Sequence, residues 1–220
     1  MKKVIEKEKK EKDLRPIWIY AIFMFVIPVI AGFVLAFVNP DILKGKTLDL
    51  ISIGLSGILF IVFIWMYKDR YINDFKKLNK KTWIYVLGMS AALFLINYGL
   101  SDMFEKMKVT MNNQDTINEM FKSYKLLTSI NVCLFAPFIE ELIFRYSFST
   151  FIKKDLVFIL ISSIVFGIMH GIGVVTFLYI FIGVMIAVVY LKTDKNIVAS
   201  TVIHFINNFL SVIIMFMTIK

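Results

Sequence analysis

At 220 residues, 59% of them hydrophobic and with a mean hydropathy of +0.77, the chain is far more apolar than the roughly 45–50% usual for a soluble domain. It needs lipid as a solvent, and no large soluble domain fits beside its apolar runs. The net charge of +9 would suit a nucleic-acid partner, but in a membrane chain Lys and Arg placement follows orientation, so no nucleic acid is implied.

Residues 1–15 read as a charged cytoplasmic tail, too polar to be the apolar part of a signal peptide. Seven apolar runs follow, at roughly 16–38, 48–67, 82–100, 127–151, 156–170, 174–191 and 196–217, each near the ~20 residues at 1.5 Å per residue that cross a bilayer, the fifth being short. The first run is longer than a signal-peptide core and is kept as a mature helix. The segment 101–126 places Met103, Phe104, Met107, Ile117, Met120 and Phe121 among mixed charges. That pattern predicts an interfacial helix, serving as a plain connector or as a lid. With the N-terminus inside, 17 of the 25 basic residues fall in cytoplasmic segments and seven outside, in accord with the positive-inside rule. The expected fold is therefore all-α, a polytopic transmembrane bundle of about seven spanning helices, forming one domain over 16–217. Cys133, the single cysteine, has no internal disulfide partner and reads as packing.

Three charges lie inside the fourth run, Glu140, Glu141 and Arg145, and facing lipid they would cost on the order of 8–10 kcal/mol. They must face protein or water. Glu141 and Arg145 share a helix face at i, i+4 and can pair, leaving Glu140, rotated by about 100°, available. Pro137 denies the Cys133 carbonyl its helical donor and predicts a kink just before the acidic pair. The chain has only two histidines, His170 and His204, and both fall in spanning runs. Phe166 and His170 share one helix face, His204 and Asn208 another. Counted from the cytoplasmic ends, Glu140, Asn208, His204 and His170 lie about 18, 18, 12 and 21 Å deep, inside a core about 30 Å thick. Gly171 and Gly173 read as a tight outer turn, and Gly167, Gly183 and Ala187 permit close helix approach within or between protomers.

Taken in order, Glu140-Glu141-x-x-x-Arg145, Phe166-x-x-x-His170 and His204-x-x-x-Asn208 resemble the motifs of the CPBP intramembrane proteases. That family includes type II CAAX prenyl endopeptidases and bacterial bacteriocin-processing or self-immunity proteins. The resemblance covers about 131–211 and places the catalytic part in 127–217. It implies an integral, multi-pass protein of a bacterial plasma membrane that cuts membrane-associated peptides or proteins. It further implies that Glu140 with His170 binds and deprotonates water, while His204 and Asn208 stabilise the oxyanion, with Glu141, Arg145 and Phe166 in support. His170 is followed by Gly171 where some eukaryotic relatives carry a second histidine, so a prenylated substrate is not implied.

Two mechanisms share this set. Glu140, His170 and His204 have the composition of a catalytic zinc site. The His-Glu-x-x-His helix of zincins is missing, however, and Asn208 suits an oxyanion donor better than a zinc ligand, which favours a cofactor-free reaction. Gly54-Leu55-Ser56-Gly57 also resembles a rhomboid-type serine motif, but it leaves the acidic pair unexplained. From other classes, a proton-coupled transporter could use the same ionisable residues, although no inverted repeat supports it. A non-catalytic immunity protein or scaffold could bind a peptide without cutting it.

Overall fold

The computed structural model describes residues 12–38, 46–109 and 112–219, and among these it is helical with no strand. Most of the charged tail and residues 39–45 lie outside the described residues. Eight helices follow: α1 (15–38), α2 (Lys46–Lys76), α3 (Lys80–Lys106), α4 (Asn112–Ser123), α5 (Lys125–Phe151), α6 (Asp155–Met169), α7 (Val175–Lys192) and α8 (Ile197–Thr218). Six are long and apolar enough to cross a membrane. The seventh expected span, α6, has 15 residues and covers only about 22 Å at 1.5 Å per residue. Its C-terminal end, and with it His170, is thereby left within reach of the bundle interior.

Apolar side chains face both ways, as lipid requires. Trp18, Phe25, Val29, Phe33 and Phe37 stand exposed on α1, and Ile58, Ile61 and Trp65 on α2. Leu59, Phe63, Leu93, Leu142, Ile186 and Ile203 fill the core with almost no exposure. Helices α2 and α3 run past the apolar segments expected from sequence, because their charged ends satisfy themselves along the helix: Arg70 and Lys77 both pair with Asp74, and Lys106 pairs with Asp102.

Pro16 sits in the first turn of α1, and the two prolines farther inside spans, Pro28 and Pro137, each follow a π turn. Ile22–Val26 precedes Pro28 and Asn131–Phe135 precedes Pro137, with the Ala136 N–H reaching the Asn131 carbonyl five residues back. The kink expected at Pro137 thus takes the form of a one-residue widening, a common way for a helix to absorb a missing donor. A third π turn, Leu142–Ser147, carries Arg145 and has no proline to cause it.

Two polar clamps fix the bundle at the end opposite α4. The Asp13 N–H donates to Thr150 Oγ1, and its carboxylate accepts from Arg15, Tyr67 and Tyr146. Burial raises the Asp13 pKa, but Arg15's hydrogen bonds and charge, helped by Tyr67, outweigh it and hold the group below the usual carboxylate range. A depressed acid stabilises above its unfolded value, so this contribution is complete at neutral pH and fades only as pH falls below about 4.

The second clamp seats the start of α8. Asp74 is buried, and besides Arg70 and Lys77 its carboxylate accepts from the Ile197 N–H at 3.1 Å, while its carbonyl accepts from Asn196 Nδ2 at 2.7 Å. Asn196 in turn caps α8 through the Ala199 N–H. Because α8 carries His204 and Asn208, Asp74 sets the register of half the site. Asp74→Ala is expected to lower stability by about 1–3 kcal/mol, since it leaves the Ile197 N–H without its acceptor and removes the carboxylate that Arg70 and Lys77 share. The check is a fall in the detergent unfolding midpoint, larger than for Asp102→Ala in the exposed Lys106 pair.

Candidate active site

The acidic pair of α5 divides its work. Glu141 and Arg145 are fully buried, with Arg145 Nε 3.1 Å from Glu141 Oε2. The guanidinium also lies 5.3 Å from the Phe166 ring centre, a distance at which a cation is attracted to the ring face. The two terminal nitrogens of Arg145 have no hydrogen-bond partner among the described residues. The other oxygen of Glu141, Oε1, lies 3.0 Å from His204 Nδ1. One carboxylate thus links the buried cation to the imidazole of α8, a connection that helix spacing alone does not reveal.

The tautomers follow from the partners. His170 Nδ1 lies 2.8 Å from the Phe166 carbonyl, which only accepts, so Nδ1 carries hydrogen. His204 Nδ1 faces Glu141, itself ion-paired to Arg145, and donates likewise. Both Nε2 atoms are therefore directed at the remaining carboxylate: His170 Nε2 and His204 Nε2 each stand 3.8 Å from Glu140 Oε2. That oxygen is buried and has no direct hydrogen-bond partner among the described residues. A gap of 3.8 Å exceeds a hydrogen bond and matches a span bridged by one water oxygen.

Asn208 lies one turn beyond His204 and lines the same cavity. Its Nδ2 donates to the Val132 carbonyl at 2.9 Å, and its Oδ1 accepts from Asn207, whose own oxygen accepts from Asn97 on α3. This head-to-tail row of amides fixes the Asn208 plane and commits one of its two N–H groups, leaving the second as a donor. Asn97 and Asn207 were readable as polar residues within apolar runs, but only the fold shows whom they serve. Tyr179, stacked on His170 with ring centres 4.5 Å apart, carries no sequence signal, because tyrosine is common in membrane helices.

The cavity has a volume of about 880 Å³ and extends from Glu140, His170, His204 and Asn208 to α4 and the far ends of α3 and α8; Ser56 does not line it. Helix α4 covers that end. Phe121 is fully buried and packs edge-on against Phe216 at 4.8 Å, while Asn113 and Gln114 line the space below. Cys133 packs in the same cluster with Val212 and Met215.

The α6–α7 contact brings His170 to this cavity. Gly167 meets α7 so closely that an added Cβ would lie 2.5 Å from Ile180 Cγ1 and 3.0 Å from the Ile180 nitrogen and the Thr176 carbonyl oxygen, and Gly183 meets Ser163 similarly. Both glycines therefore work within the chain. Beyond His170, Gly171 and Gly173 adopt φ of +133° and +146° in the expected tight turn, a region that strains other residues. Gly167→Ala is expected to cost about 1–3 kcal/mol by overpacking. By moving His170 it should also depress activity more than it depresses the unfolding midpoint, which paired activity and thermal-shift measurements would show.

Among the described residues, no three His, Cys, Asp or Glu side chains are placed to hold a metal ion. By donor type, the two Nε2 atoms and Glu140 are the groups zinc would take, and oxygen partners on both Nδ1 atoms are the usual support of a metal-binding imidazole.

These features define a multi-pass helical membrane protein with an acid and two imidazoles gathered at a buried polar cavity. Residues 122–210 match the family model described as Type II CAAX prenyl endopeptidase Rce1-like. That stretch contains all three motifs, and its similarity to the family is consistent with a CPBP family intramembrane protease and supports a CAAX-type intramembrane endopeptidase at the level of the family. No curated protein and no solved structure matches the chain.

Proposed function

We propose that the protein hydrolyses peptide bonds of membrane-associated peptides or proteins, with Glu140 as general base. The observation that carries this reading is the approach of His170 Nε2 and His204 Nε2 to one oxygen of Glu140, each at 3.8 Å, beside a cavity of about 880 Å³. A water between them donates one hydrogen to Glu140 Oε2 and the other to the His170 Nε2 lone pair. As it attacks the carbonyl carbon, its first proton passes to Glu140. The oxyanion accepts from the second N–H of Asn208 and from His204, which donates through Nε2 when it holds a second proton. Glu141 on Nδ1 supports that cation. Glu140 then returns the proton to the leaving amine as the C–N bond breaks.

This reaction is metal-free and needs no cofactor. Zinc on Glu140, His170 and His204 is the alternative. The basic-residue distribution supports a cytoplasmic N-terminus, as in a bacterial plasma membrane, which turns the α4 end of the cavity outward. A non-catalytic immunity or scaffold protein and a proton-coupled transporter are the readings to be displaced.

The purified protein, incubated in detergent with a peptide pool in ¹⁸O-water, should generate new C-termini carrying one ¹⁸O. The label should persist after exhaustive chelation. Activity lost on chelation and restored by zinc would overturn the metal-free step, and an unaltered pool would overturn hydrolysis itself.

A further inference from the structure

Of the two histidines, His204 is held by a carboxylate on a neighbouring helix, whereas His170 ends a helix and precedes a glycine turn. Beyond its Nδ1 bond to Phe166, the closest contacts of its ring among the described residues are two aromatic rings, while Glu140 stands off at 3.8 Å. The Phe166 ring centre lies 4.3 Å away, and the Tyr179 ring stacks on His170 at 4.5 Å with 23° between planes. The Tyr179 hydroxyl accepts from Asn113 Nδ2 at 3.1 Å, and Asn113 belongs to α4, the helix covering the cavity. A continuous path therefore runs from the cover, through one hydrogen bond and one ring stack, to the imidazole that faces Glu140. Tyr179 lines the same cavity, but among the described residues its hydroxyl bonds Asn113 and not Glu140, which sets it apart from the acid and the imidazoles that face it.

We propose that Tyr179 is a positioning residue for His170, and that its bond from Asn113 makes alignment of that imidazole depend on the seating of α4 over the cavity. The inference rests on the hydrolytic reading of the same site. Seating of α4 closes the space around the substrate and fixes the ring that orients the attacking water; with α4 unseated, the ring loses its outer constraint. The chain would then hydrolyse only what lies beneath a closed cover.

Two measurements on the full chain test this. Tyr179→Phe keeps the stack and removes the hydroxyl, while Asn113→Ala removes the donor. Each should lower kcat about tenfold at unchanged KM for a short peptide, and the double variant should be no slower than either single one, since both delete one bond. Wild-type rates, or losses that multiply in the double variant, would overturn the proposal.

The second measurement needs no activity. With only two histidines in the chain, ¹⁵N-histidine labelling gives two imidazole spin systems, assignable with His204→Gln. Asn113→Ala should broaden and shift the His170 signals while leaving those of His204 in place, and Tyr179→Leu should shift them further. Unchanged His170 signals in Asn113→Ala would overturn the coupling whatever happens to cleavage. Shifted His170 signals in a protein whose wild type cuts nothing would leave the positioning role standing and remove the hydrolytic reading beneath it.

Discussion

Glu140→Gln should reduce peptide cleavage by about 10²–10⁴-fold, the usual contribution of a general base, without lowering stability. Glutamine matches glutamate in shape but cannot accept the proton that water must lose. In the folded protein Glu140 Oε2 has no direct hydrogen-bond partner among the described residues and stands 3.8 Å from each imidazole. Removing its charge therefore breaks no direct hydrogen bond and relieves the burial of an anion. The pairing of a large kinetic loss with an unchanged unfolding midpoint distinguishes a reacting group from a packing one. A variant retaining a tenth or more of wild-type activity would show that another group takes the proton.

Glu141→Gln should behave in the opposite way, losing stability and activity together. Both oxygens of Glu141 are committed, one to Arg145 at 3.1 Å and one to His204 Nδ1 at 3.0 Å, and carboxylate and guanidinium are fully buried. Neutralising one member of a buried ion pair leaves the other unpaired, at a cost of about 3–5 kcal/mol. The double variant Glu141→Gln, Arg145→Met removes the stranded cation and should recover much of that stability, because apolar replacement of a buried pair is often neutral. Cleavage should not return, since His204 would still lack the carboxylate that holds its Nδ1 proton. Unfolding midpoints and rates for the two singles and the double form a cycle that separates these contributions.

Much of this arrangement was legible before folding because lipid leaves few options. A charged or imidazole side chain within an apolar run needs a partner, so Glu140, Glu141, Arg145, His170 and His204 were conspicuous, and i, i+4 spacing sufficed for the Glu141–Arg145 pair. The turn at Gly171 and Gly173 was equally open to reading, since alternate glycines between apolar runs suit positive φ. Contacts between helices were not. Spacing along α5 cannot show that Glu141 reaches across to His204, nor that Asn97 of α3 braces Asn208 through Asn207. The π turn at Leu142–Ser147 has no proline or glycine to announce it. The segment 101–126 carried an interfacial pattern, yet its place over the cavity depends on Phe121 meeting Phe216 nearly a hundred residues later. Charged helix ends such as Lys68–Lys76 look like loops until Asp74 is seen to bind Arg70, Lys77 and the start of α8.

The most direct test compares the peptides in membranes of cells carrying the wild-type protein with those carrying Glu140→Ala at equal abundance. At least one defined fragment, ending at a reproducible bond, should be present with the wild type and missing with the variant. Identical peptide sets from the two strains would mean that the acid and imidazoles beside this cavity are not there to cut peptides.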